Sequence, residues 1–199
     1  MMMRKILLAT HNDDKVKEFT ALLKPLGVEI AGAKDYRLIE PAETGETFQA
    51  NAAIKARAAY SATGISSLAD DSGICVEALN GQPGLFTADW AGHPRNWLSA
   101  MQKVENLLQE QGAENRRAYF ICVLCFIDEK GAEHFFEGRI NGHIAWPPRG
   151  DKGFGFDPVF VPEGHDQSFG ELGEEVKNRL SHRALAARQF LGFLRQAVT

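Results

Sequence analysis

The chain has 199 residues, 44% of them hydrophobic and 24% charged, with a formal net charge of −4. That length suits one domain with a substantial core, and the composition is that of an ordinary globular protein. The acidic balance argues against general attraction to nucleic acid or anionic membrane. Neither a basic-then-apolar leader nor an apolar run of bilayer length occurs, so the expected location is the cytosol.

Residues 4–9 predict a first strand. Asn12 can cap a helix that carries Val16, Phe19, Leu22, Leu23 and Leu26 at helical spacing, as the apolar period requires. Gly27 ends it, and Val28–Ile30 starts another strand. Residues 42–45 read as a loop, after which Thr47 caps an alanine-rich helix running to about Tyr60. Ile65–Ala69 and Ile74–Leu79 read as two strands separated by the corner Asp70-Asp71-Ser72-Gly73. A Gly/Pro-rich connection at 81–84 leads to a helix with Trp97, Met101, Val104 and Leu108 on one stripe. The run 119–127 is apolar on both faces, as in the middle of a covered sheet. Residues 133–146 predict a long strand bent at Gly138 or Gly142, since glycine inside a strand marks a bend or a close approach. A short strand at 158–161 and a polar stretch at 163–177 follow, and Ser181 caps a last helix with Ala184, Ala187, Leu191, Leu194 and Val198 facing inward. The pattern is a single domain over 1–199, α/β with a mixed sheet.

The three cysteines are an odd number, which disfavours a disulfide framework. Cys122 and Cys125 match C-x-x-C but lie within a strand-like run. Side chains at i and i+3 of a strand point to opposite faces, so these thiols cannot share a metal and belong in the core. His134 and His143 sit at no ligand spacing and read as structural.

Four stretches carry chemistry. Asp70 and Asp71 are adjacent carboxylates, which repel when buried unless a cation stands between them. Mg²⁺ is a usual remedy; a polar turn uses the same residue types. Thr10-His11-Asn12-Asp13-Asp14-Lys15 forms a strand-to-helix turn, where free N–H groups, the helix dipole and a lysine suit phosphate. Asp13 and Asp14 equally fit an ordinary helix start, and they oppose an anion unless they point away. Phe154 and Phe156 alternate with glycines in 153–157, a scaffold on which an open ring can stack a nucleobase or cover the core. Lys177 and Ser181-His182-Arg183 gather donors at the start of the last helix. Glu43 matters only if folding brings it beside Asp70 and Asp71, where it completes an oxygen-rich cation site.

Taken in order, Thr-x-Asn-x-x-Lys at 10–15, Glu-Thr-Gly at 43–45, Asn-Ala-x-x-Lys-Ala at 51–56, Ala-Asp-Asp-Ser-Gly at 69–73, Phe-Gly-x-Asp-Pro at 154–158 and Ser-His-Arg at 181–183 resemble the inosine/xanthosine triphosphate pyrophosphatase family. The likeness spans nearly the whole chain. It implies an elongated mixed sheet with flanking helices, two lobes around a central nucleotide-binding cleft, a homodimer and a Mg²⁺ requirement. It also implies hydrolysis of deaminated purine nucleoside triphosphates to monophosphate and pyrophosphate. By motif, Thr10, His11, Asn12, Asp13, Asp14 and Lys15 would hold the triphosphate, with Lys55 near the phosphates. Glu43 and Asp71 would hold the metal, Asp71 would be the general base, Asp70 would support it and Ser72 would touch substrate. Phe154 would stack on the base, and Gly155, Phe156, Asp157, Lys177, His182 and Arg183 would complete the purine pocket. Departures from the family pattern are Ala50 in place of a glutamate, Phe156 in place of Tyr or Trp, Val176 inside the usual Glu-Lys pair, and a phosphate turn carrying His11, Asp13 and Asp14.

Donors from His182 and Arg183 match a 6-oxo acceptor, whereas a 6-amino group would set donor against donor. A related pyrophosphatase for modified pyrimidines and a nucleotide binder without turnover are the competing readings. The Ser-His-Arg element opposes the first, and the intact carboxylates oppose the second. An RNA-binding module lacks its basic stripe with interleaved aromatics.

Overall fold

The computed structural model describes residues 5–24 and 27–196. Its strands form one sheet in the order β2-β1-β3-β4-β5-β6. They are β1 (Lys5–Leu8), β2 (Glu29–Gly32), β3 (Ser67–Val76), β4 (Arg117–Ile127), β5 (Glu133–Ile144) and β6 (Phe160–Pro162). β1 pairs in parallel with β2 and β3, and β5 pairs antiparallel with β6, so the sheet is mixed. The helices are α1 (Asp13–Leu23), α2 (Phe48–Thr63), α3 (Trp97–Glu110), α4 (Glu174–Leu180) and α5 (His182–Gln196). None of them is long and apolar enough to cross a membrane. Arg4, Leu26 and Val198 lie outside the described residues.

The chain divides into two compact units. The first takes the residues up to Asp71, Cys122–Gly138 and those from Arg183 onward; the second takes Ser72–Ile121 and Arg139–His182. In the first unit, the expected caps are present. Asn12 Oδ1 accepts from the N–H groups of Asp14 (3.0 Å) and Lys15 (3.3 Å) at the head of α1. Thr47 Oγ1 accepts from Ala50 N–H at the head of α2, which runs past Tyr60 to end on Gly64 at φ +67°. Such caps satisfy donors that a helix start leaves unpaired. Phe19, Leu23, Cys122, Leu124, Phe190 and their neighbours form one cluster, while Leu7, Ala52, Ala56, Ala69, Cys125 and Ile127 belong to another. The two thiols of the C-x-x-C run thus enter different clusters, as strand alternation requires. Both are buried and free of disulfide.

The second unit has its own core, in which Met101, Val104 and Leu108 of α3 meet Phe120, Phe156, Phe160 and Phe169. Helix α4 begins inside the stretch 163–177 that reads only as polar; it is short and lacks a side-chain cap at Gly173. The expected strand at 158–161 is shifted, with a 3₁₀ turn over Asp157–Val159 before β6. β5 ends at Ile144, and a Cβ at Gly142 would collide with the Val161 carbonyl and the Phe160 ring.

The largest departure concerns the Asp pair. In place of two strands and a corner, β3 runs unbroken through Asp70, Asp71, Ser72 and Gly73, buried at nine of its ten positions. Aspartate is a poor strand residue in general, and ionic partners override that preference here. The glycine has a separate cause. A Cβ at Gly73 would meet the Gly84 carbonyl and come within 2.7 Å of Thr87 Oγ1. That hydroxyl accepts from Ile74 N–H (3.0 Å) and donates to the Gly84 carbonyl (2.6 Å). Gly73→Ala is therefore expected to destabilise the protein by about 1–3 kcal/mol through overpacking, seen as a lower urea midpoint; an unchanged midpoint would show that the Gly84 turn yields freely.

Candidate active site

In the first unit, chain segments distant in sequence bring charged groups onto the Asp70-Asp71 stretch of β3. Asp70 is 1% exposed. Lys15 Nζ, from the first turn of α1, lies 2.8 Å from its Oδ2, and Arg183 Nε, from the first turn of α5, lies 3.7 Å from the same oxygen. Arg183 is itself buried and donates through Nη1 to Glu18 Oε2 of α1 at 2.5 Å. Burial works against the Asp70 charge, but Lys15, Arg183 and Lys55 outweigh it and hold the carboxyl well below the usual carboxylate range. Burial likewise works against the Arg183 charge, and Glu18 and Asp70 more than compensate.

Asp71 meets a different cation. Lys55 Nζ, from the middle of α2, lies 2.5 Å from Glu43 Oε1 and 3.6 Å from Asp71 Oδ1. Folding has therefore brought Glu43 to the Asp pair through this shared ammonium. Burial pushes the Asp71 carboxyl up to about 6, opposed by Lys55 and Lys15 and assisted by Glu43 and Asp70. Lys55 loses from burial but is held above the ordinary amine value by Asp70, Asp71 and Glu43. The loop bearing Glu43 is anchored by Asn51, whose Oδ1 accepts from Gly45 N–H at 2.8 Å. A Cβ at Gly45 would come within 2.6 Å of that oxygen, so the glycine of Glu-Thr-Gly and the asparagine of Asn-Ala-x-x-Lys-Ala form one joint. Asn51 and Lys55 are one helical turn apart and share a face of α2.

The turn at 10–15 supplies the remaining groups of this unit. Thr10 Oγ1 accepts from Asn12 N–H at 3.2 Å. His11 donates through Nε2 to the Leu38 carbonyl at 2.8 Å, which ties the turn to the chain leading toward Glu43. Asp13 and Asp14 are exposed and pair with Lys34 (2.5 Å) and Lys17 (3.8 Å). Their charges are thus partly balanced by lysines outside the turn.

The second unit carries the aromatic set, together with Ser72, the residue after Asp71 on β3. Gly153 and Gly155 have φ of +75° and +67°, the left-handed region that favours glycine. This conformation lets Phe154 N–H donate to Asp157 Oδ2 at 2.7 Å. Lys177 Nζ donates to the same oxygen at 2.7 Å and lies 4.3 Å from the centroid of the half-buried Phe154 ring. Asp157 is 2% exposed, so it organises both partners from below the surface. Phe156 is also enclosed, its ring 6.2 Å edge-on from that of Trp97. His182 stacks on Phe120 at 4.8 Å with the planes 10° apart, which fixes the orientation of its ring.

Glu18 has no signal in the sequence as a site residue, and Asn51 opens the motif at 51–56 without a role of its own. Each gains meaning only from the partner that folding supplies, Arg183 for one and Gly45 for the other. Among the described residues, no group of three or more His, Cys, Asp or Glu is placed to enclose a metal. Asp70→Asn leaves Lys15 and Arg183 without their shared buried counter-charge, and its expected cost is about 3–5 kcal/mol. Urea unfolding checks this, with an unchanged midpoint showing that Asp70 is not the partner the two cations need.

The Ham1 family model matches residues 6–193. A dITP/XTP pyrophosphatase of Zymomonas mobilis is 49% identical over 188 residues, covering 94% of this chain and 90% of the relative. One from Mesorhizobium japonicum is 48% identical, covering 94% and 91%. Among solved structures, a Ham1 protein from Coxiella burnetii superposes with a TM-score of 0.91 at 37% identity, covering 98% of this chain and all of that one. A nucleoside-triphosphatase, dITP/XTP pyrophosphatase, from Mycobacterium abscessus gives 0.76 at 38%, covering 96% and 99%. With its motifs in order and the family model matching residues 6–193, the chain belongs to the Ham1 family.

Proposed function

We propose that this protein hydrolyses ITP, dITP and XTP to the nucleoside monophosphate and pyrophosphate, with Mg²⁺. The observation that carries the reading is the pair Glu43 and Asp71 facing a single buried cation, beside a second carboxylate that holds Lys15. The names of the Zymomonas and Mesorhizobium relatives support the substrate class.

The donor set fits Mg²⁺. Glu43 and Asp71 offer hard oxygens around one cationic position, and no third carboxylate closes the shell among the described residues. Mg²⁺ typically takes one or two carboxylates and leaves the other positions to phosphates and water. Glu43 and Asp71 would hold it, and when bound it polarises the phosphoryl oxygens and neutralises developing charge.

Release of pyrophosphate requires water to attack the α-phosphorus. Asp71 accepts the proton of that water, the new P–O bond forms, and the bond to the bridging oxygen breaks with its electron pair leaving on pyrophosphate. Lys15 has three N–H donors, so it can meet a phosphate oxygen while still bound to Asp70. Thr10 and Asn12 present the turn against which the polyphosphate lies.

The base falls to the second unit's set. Phe154 stacks on it, with Asp157 and Lys177 holding the ring's support. Phe156, closed into the core, stiffens the turn and offers no face for stacking. His182 and Arg183 donate to the 6-oxo group, and Arg183 is anchored for that task by Glu18 and Asp70. A 6-amino group leaves buried donors unpaired at about 1–3 kcal/mol each, so two mismatches reject ATP by roughly two to four powers of ten.

Initial rates of pyrophosphate release with ITP, XTP and ATP test the specificity: ITP and XTP should turn over and ATP should lag by that factor. Equal rates would remove the 6-oxo reading. Asp71→Asn should retain nucleotide binding while kcat falls about 10²–10⁴-fold, the usual worth of a general base; a near-normal rate would take Asp71 out of that role.

A further inference from the structure

Lys55, which the family resemblance sets near the phosphates, is a buried cation given no step in the reaction just described. Its side chain is 7% exposed, and its ammonium stands against both carboxylates assigned to the metal. The placement is built rather than incidental. α2 grips the Glu43 loop at two points of one face, the backbone through Asn51 and the Glu43 carboxylate through Lys55. A second cation, the partly buried Lys15, makes its ion pair with Asp70 at 2.8 Å.

We propose that Lys55 is a built-in counter-ion for Glu43 and Asp71, holding both in place in the metal-free protein and giving way when a divalent cation enters between them. The inference rests on the metal role given to Glu43 and Asp71. Two like charges within a few ångströms in a buried site repel strongly, so cation and ammonium do not share these oxygens. The displaced ammonium then meets the nearest available anion, a substrate phosphate. Two consequences follow. A divalent cation binds the free protein weakly, because it must first expel Lys55. Nucleotide favours that binding, because its phosphates take up the expelled charge, and by linkage the cation favours nucleotide to the same degree.

The test is calorimetric titration of Mg²⁺ into the full chain without nucleotide, comparing wild type with Lys55→Met and Lys55→Gln. Both variants should bind Mg²⁺ about tenfold or more tightly than wild type, the effect of removing a competing buried charge. Their unfolding temperatures without metal should lie below that of wild type and recover further on adding Mg²⁺. Lys55→Gln keeps a neutral donor toward Glu43 and serves if Lys55→Met does not fold. Lys15→Met removes an equal charge from Asp70 and should alter Mg²⁺ affinity less. Variants that bind Mg²⁺ no better than wild type, or not at all, overturn the proposal, as does an equal gain from Lys15→Met. No nucleotide is hydrolysed in this experiment, so an error in the substrate class would leave its result unchanged and would appear only in the rate measurements.

Discussion

Burying Asp70 inside a strand is the constraint on which the first unit depends. An isolated carboxylate there would be prohibitively costly, and a paired one is tolerated only where geometry and hydrogen bonding are good. Lys15 from α1 and Arg183 from α5 supply the positive charge, and Glu18 of α1 in turn holds Arg183. Residues 15 and 18 share α1 and lie far in sequence from 70 and 183, so the charge buried in β3 is balanced by two helices that only the fold brings to it. The contacts that permit the strand are also those that place a lysine, an arginine and two carboxylates in one neighbourhood. Fold and site share one set of interactions.

That set is not neutral. Glu18, Glu43, Asp70 and Asp71 face Lys15, Lys55 and Arg183, four carboxylates against three cations. The excess negative charge falls on the Glu43–Asp71 side, where one ammonium serves two carboxylates. Asp70 and Glu18, by contrast, are met by two cations, Lys15 on Asp70 and Arg183 on both. The adjacent aspartates therefore differ by environment: Lys15, Arg183 and Lys55 hold Asp70 well below the usual carboxylate range, while burial pushes Asp71 up to about 6, the direction its proposed role as a base calls for. The second unit shows the same economy, with Asp157 fixing both the Phe154 backbone and the Lys177 ammonium.

Much of this was legible in the sequence, for local reasons. Asn12 and Thr47 announce their helices because capping is decided within a few residues. The thiols of Cys122 and Cys125 separate because strand alternation is a property of the backbone. The order of the short motifs carried the family. The parts that were not legible depend on distant partners. Asp-Asp-Ser-Gly has the composition of a turn, and the cations that meet its aspartates inside the strand, Lys15, Lys55 and Arg183, come from distant segments. Phe154 and Phe156 look equivalent, yet one is half-buried over Lys177 and the other is closed against Trp97. α4 lies in a charged segment without a capping side chain, so neither apolar period nor cap betrays it.

The central claim is that this carboxylate cluster directs water to the α-phosphorus. Hydrolysis of ITP in ¹⁸O-labelled water, followed by mass spectrometry of both products, tests it most directly. The account predicts the label in the nucleoside monophosphate and unlabelled pyrophosphate. Label in pyrophosphate would place the attack at the β-phosphorus, and labelled orthophosphate would place it at the γ-phosphorus; either result would contradict the assignment of Asp71 and its neighbours.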